Sequence, residues 1–137
     1  MLHRIKRDRD IHEGKWNGLG GKMHAGETPE ECVVREVHEE SGLKIELPQM
    51  HGVMTFPDFK EKEDWLVFLF SAETFKGTLT ECDEGVLEWI DDDKILDLNL
   101  WEGDKFFIEW MKQPKFFSAK FIYEEKKLKH HEVQFHV

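Results

Sequence analysis

Glu36, Glu39 and Glu40 are spaced at i, i+3 and i+4, the interval that brings side chains to one face of an α-helix and within reach of a common point. Three carboxylates so placed repel one another unless a cation lies between them. Oxygen donors of this kind suit Mg2+ or Mn2+, which keep part of their water shell and take further ligands from phosphate oxygens. The chemistry on offer is the bridging of protein carboxylates to a small polyanion through a divalent cation. A solvated acidic helix face would show the same spacing, so the surrounding residues decide. Upstream stand Gly20-Gly21-Lys22, able to bring backbone groups close to a metal or a phosphate, and then Glu27 just before the helix.

The helix that must carry the trio has a clear start. Thr28 is suited to the N-cap, Pro29 to the first helical position, and Glu31 stands three residues after the cap to close a capping box. The helix is expected to run to about Ser41, with Gly42 just past its end. Val33, Val34 and Val37 form a neighbouring arc that would anchor it to a core. Before it, Lys6 to Glu13 reads as a charged surface loop, and the glycines at 18, 20, 21 and 26 exclude regular helix. After it, strands are expected at Leu43 to Leu47, Gly52 to Phe56, Trp65 to Phe70, Phe75 to Leu79 and Val86 to Ile90. Asp91 to Leu96 and Gly103 to Lys112 read as helical, the second with Phe106, Phe107 and Trp110 on an apolar stripe. Phe116 to Tyr123 and Leu128 to Val137 alternate around Glu124-Glu125-Lys126 as a closing hairpin. The mixture implies an α/β or α+β sandwich.

Taken together, the residues run Gly21, five residues, Glu27, seven residues, Arg35-Glu36-Val37, one residue, Glu39-Glu40, one residue, Gly42-Leu43. This resembles a complete Nudix box, a pattern of types and spacings far more specific than a lone glycine motif. The resemblance implies a Nudix hydrolase fold of α/β (α+β) class, a mixed β-sheet sandwiched between helices, formed by residues 1–137 as one domain. It implies Glu36, Glu39 and Glu40 as metal ligands with the Gly20 carbonyl, and Glu27 as a support or a ligand to a second ion. Mg2+ is the implied cofactor, with Mn2+ as a substitute. Arg35 would orient a glutamate through a bidentate contact, and Lys22 would touch the phosphates. Arg4 would do so too, or serve as an ordinary surface residue. The implied reaction yields a nucleoside monophosphate and pyrophosphate, with Glu36 or Glu39 as general base. Glu84, in Cys82-Asp83-Glu84-Gly85, matches the place of a further catalytic glutamate in many members; a turn role is its other reading.

The likeness extends beyond the box. Trp16 to Lys22, Trp101-Glu102-Gly103-Asp104 and Phe116 to Phe121 are similar to segments of the MutT-type 8-oxo-dGTP diphosphatases, which clear oxidised guanine nucleotides from the precursor pool. By that resemblance Asn17, Trp101 and Asp104 recognise the base, the indole by stacking and the amide and carboxyl by hydrogen bonds. The alternative places Trp101 in the core and Asp104 merely in the first turn of its helix. Family members begin one strand earlier than Met1-Leu2-His3-Arg4, so the expected fold lacks the usual first strand, with a sheet edge exposed or a pocket partly unlined. Two rival functions remain: a Nudix hydrolase for another nucleoside polyphosphate, and a non-catalytic nucleotide-sensing domain. An acidic interaction module is a third.

Composition narrows the partners. The net charge of -10, with basic residues dispersed, argues against long nucleic acid. No run of about 18 apolar residues and no signal-peptide layout is present, so a cytoplasmic protein without a membrane partner is expected, acting on a small-molecule nucleotide as a monomer or homodimer. Cys32 and Cys82 lack metal-ligand spacing and read as small, reduced side chains, buried or half-buried.

Overall fold

A computed structural model describes residues 1–6, 12–60 and 62–137. The surface loop expected from Lys6 to Glu13 lies largely outside the described residues. The chain forms two compact units, Met1–Pro48 with Ala72–Leu100, and Gln49–Ser71 with Trp101–Val137.

In the first unit, β1 (Leu2–His3) is the central strand of a three-stranded antiparallel sheet, between β2 (Trp16–Asn17) and β7 (Val86–Leu87). The helix α1 (Pro29–Ser41) has the bounds expected of it. Thr28 Oγ1 accepts from the Glu31 amide (3.1 Å), Glu31 Oε1 accepts from the Thr28 amide (3.4 Å), and Gly42 ends the helix at φ 80°. Its fully buried residues are Cys32, Val37 and Ser41, whereas Val33 and Val34 are half-buried. The anchoring face is thus rotated from the valine arc. Ser41 is tolerated there because its hydroxyl donates to the Val37 carbonyl (2.6 Å) and accepts from the Leu43 amide (3.1 Å). β3 (Lys44–Glu46) pairs antiparallel with β6 (Thr74–Lys76), and a 3-10 helix spans Asp92–Asp97.

The second unit is a mixed four-stranded sheet in the order β5-β4-β8-β9, made of β4 (Gln49–Lys60), β5 (Glu63–Ser71), β8 (Phe117–Glu124) and β9 (Lys127–Phe135). β4 and β8 run parallel and the other pairs antiparallel. Phe117, Ala119, Phe121 and Tyr123 are buried on alternate positions of β8, the period expected of a strand with one face in a core. The β8–β9 hairpin turns on Glu125 and Lys126, both at positive φ (51° and 66°), as a two-residue hairpin turn demands. Helix α2 (Glu102–Trp110) sets Trp110 against Phe117, Phe121 and Phe135 of this sheet. The chain is therefore α+β with a mixed sheet and few helices.

Candidate active site

The glycine-punctuated segment lies along α1, and one side chain holds it there. Arg35 Nε donates to Glu27 Oε2 (2.7 Å) and Nη2 to Glu27 Oε1 (2.9 Å), the two-pronged geometry in which a guanidinium matches a carboxylate. Nη2 also donates to the Lys22 carbonyl (3.0 Å). Nη1 reaches Glu36 Oε1 (2.7 Å) and Glu39 Oε2 (3.2 Å). One arginine thus binds three glutamates and the loop before them. The hydrogen bonds from Arg35, and then one from the His24 amide, pull the Glu27 carboxyl down to about 2.

Gly20 and Gly21 meet the other side of the acidic face. The Gly20 amide donates to Glu40 Oε1 (2.9 Å). Gly21 lies so close to the acidic face that a Cβ there would collide with the Glu36 carboxylate, so a larger residue would have to push that carboxylate aside. The contact found at Gly20 is thus made by its amide, on a glutamate, where the sequence pointed to its carbonyl as a metal ligand. Glu84, in the turn before β7, pairs with Arg4 just after β1 (3.4 Å). Burial, and then the nearby Glu84 and Glu36 carboxylates, push the Glu40 carboxyl up to about 7, against the opposing effects of the Gly20 amide and Arg4. Glu36, Glu40, Glu84 and Arg4 thus share one electrostatic neighbourhood. Glu39 is the outermost ligand candidate, with 56% of its side chain exposed. Lys22 has an exposed side chain.

Among the described residues no group of three or more His, Cys, Asp or Glu side chains stands close enough to hold a metal ion as it is. The reason is local: Glu36 and Glu39 are turned to Arg35, and Glu40 to the Gly20 amide. The donor set nonetheless suits a hard divalent cation. Its donors are all carboxylate oxygens, and Glu40, raised first by burial and only then by the Glu84 and Glu36 carboxylates, is a desolvated acid whose charged form a cation would favour.

The base-recognition candidates fall in separate units. Asn17, in β2, has a buried Oδ1 with no hydrogen-bond partner, an uncommon condition for a buried acceptor. Trp101 is 4% exposed, with its ring edge-on to Phe59 (5.1 Å) and Tyr123 (5.3 Å). Asp104 is half-buried in the first turn of α2, its amide bonded to the Trp101 carbonyl (3.0 Å). Two features were missed from sequence. The sequence implies a two-pronged contact from Arg35 to a glutamate but does not name Glu27 as the partner, because the pair spans eight residues across a helix start, a spacing that no helical periodicity encodes. Tyr123 was readable only as a buried strand residue, although a buried phenol calls for a polar partner.

An acidic helix clasped by a glycine loop, on an α+β fold, defines a class of hydrolase that handles phosphates through carboxylate-bound cations. The NUDIX domain family profile matches residues 1–111, and the chain belongs to the Nudix hydrolase family. It is 37% identical over 116 residues to the oxidized purine nucleoside triphosphate hydrolase of Danio rerio, covering 85% of this chain and 74% of that protein. Identity to the mouse protein of the same name (Mus musculus) is 35% over 118 residues, covering 86% and 76%. The crystal structure of the mutator MutT protein from Bacillus halodurans superposes with a TM-score of 0.84 at 30% identity, covering 96% of this chain and 86% of that one. Nudix hydrolases generally use divalent metals and act on small nucleotide substrates. No helix among the described residues is long and apolar enough to cross a membrane.

Proposed function

We propose that this chain is a Mg2+-dependent nucleoside triphosphate diphosphatase that hydrolyses oxidised guanine nucleotides such as 8-oxo-dGTP to the monophosphate and pyrophosphate. The observation that carries the proposal is Glu40, held by the Gly20 amide beside Glu36 and Glu84 with its carboxyl pushed up to about 7. Glu36, Glu39 and Glu40 would hold the metal, with the Gly20 carbonyl. Mg2+ bound there would offset charge on the phosphate oxygens and lower the pKa of a coordinated water. Glu27 keeps Arg35 in place, and Arg35 keeps Glu36 and Glu39 from splaying apart. Water attacks phosphorus, a glutamate takes its proton, and the α–β anhydride bond breaks to give the monophosphate and pyrophosphate. Glu36, Glu39 and Glu84 are the candidates for that base, and single Gln variants would assign it. Lys22 and Arg4 supply positive charge for the phosphates.

For the base, the unpartnered Asn17 Oδ1 supports a role in accepting a ring or exocyclic N–H. Trp101 and Asp104 are assigned to base recognition by the resemblance alone, and the names of the two vertebrate relatives support an oxidised purine as that base. The second reading, a Nudix hydrolase for another nucleoside polyphosphate, is favoured by one observation: Trp101 is packed by protein rings and only 4% exposed. Measuring kcat/KM in Mg2+ for 8-oxo-dGTP, dGTP and other nucleoside polyphosphates separates the two. A preference for 8-oxo-dGTP with pyrophosphate as product supports the proposal; equal or better turnover of another nucleotide replaces it with the second reading.

A further inference from the structure

Helix α2 starts without a capping side chain of its own. Its N-cap residue is Trp101, whose indole has no acceptor to offer the free amides of the first turn. The second of those amides, at Gly103, donates instead to the Tyr123 hydroxyl on β8 at 2.6 Å. This is the bond that Ser, Thr or Asp at the N-cap would ordinarily supply, here delivered from a distant strand. The Tyr123 ring also meets Trp101 at 5.3 Å and Phe59 at 5.5 Å, each edge-on. A Cβ on Gly103 would stand 2.7 Å from the hydroxyl and 2.8 Å from the Phe121 ring, so the close approach depends on glycine. Tyr123 is the chain's single tyrosine. Asp104 follows the capped amide directly, and Trp101 lies two residues before it.

We propose that Tyr123 is a positioning residue for substrate selectivity, capping α2 through the Gly103 amide and thereby fixing Trp101 and Asp104 for reading the base. This rests on the base-recognition role given to those two residues above. Without the hydroxyl the Gly103 amide is buried and uncapped, and the first turn that carries Trp101 and Asp104 loosens.

The test is kcat and KM for 8-oxo-dGTP and dGTP, with thermal melts, in the wild type, Tyr123→Phe and Asp104→Asn. Tyr123→Phe should raise KM for 8-oxo-dGTP roughly tenfold and lower the oxidised-to-ordinary ratio of kcat/KM by a similar factor, with kcat changing far less. Gly103→Ala, which crowds the hydroxyl but keeps the ring, should shift the ratio in the same direction. If Asp104→Asn lowers the ratio while Tyr123→Phe lowers only the melting temperature, or slows both nucleotides equally, base reading stands and the positioning role is overturned. If Asp104→Asn leaves the ratio unchanged, base reading by α2 fails and the positioning role falls with it.

Discussion

Arg35 commits its whole guanidinium to the acidic cluster, with Nε and Nη2 on Glu27, Nη1 on Glu36 and Glu39, and Nη2 again on the Lys22 carbonyl. The Arg35, Glu27 and Glu36 side chains are only 15–21% exposed, so removing the arginine leaves clustered carboxylates uncompensated and misdirects the ligands. Arg35→Ala should lower kcat and the apparent Mg2+ affinity by about 10–100-fold, the usual effect of losing a residue that orients metal ligands. Kinetics across a Mg2+ titration would check this. Glu40 gives the pH dependence. Its carboxyl sits at about 7 in the fold against 4.5 ordinarily, so the folded protein binds the proton more tightly, and the associated stability is lost as pH rises from about 4.5 through about 7. In EDTA, the melting temperature of Glu40→Gln relative to wild type should therefore climb between pH 5 and pH 8. A difference that stays constant with pH would contradict the assignment.

At the level of elements, α1 was legible to the residue because its stop and start are local chemistry: Thr28 and Glu31 cap each other, and Gly42 supplies the left-handed turn. Thr28→Ala should cost about 1 kcal/mol, seen as a drop of roughly 3–5 °C in melting temperature. The strands were less legible. β4 runs from Gln49 to Lys60, well past the expected Gly52 to Phe56, because a register irregularity between Phe56 and Lys60 accommodates Pro57. Proline argues against a strand in sequence, yet an irregular stretch is where a sheet can take one. β7 is only Val86–Leu87 instead of reaching Ile90, since sheet pairing, not propensity, fixes where a strand ends. β1 and β2, two residues each, are defined by their partners and carry no periodicity to read. The box resemblance brings Gly20 and Glu40 together, whereas the Arg4–Glu84 pair joins residues far apart in sequence, beyond that motif's reach.

For the molecule as a whole, a net charge of -10 opposes a triphosphate unless divalent cations lie between protein and substrate. The family profile and the MutT structure agree on the Nudix class, and the two vertebrate relatives are named as hydrolases of such triphosphates. Substrate affinity should therefore depend on the metal: saturating Mg2+ should raise the melting temperature further when a non-hydrolysable triphosphate is added, whereas in EDTA the nucleotide should give little shift. The most direct measurement is pyrophosphate release from 8-oxo-dGTP by the wild type in Mg2+, by the wild type in EDTA, and by Glu39→Gln in Mg2+. Release is expected in Mg2+ alone, with Glu39→Gln slower by on the order of 100-fold or more. Equal release in EDTA, or a Glu39→Gln protein as fast as wild type, would contradict the proposed function.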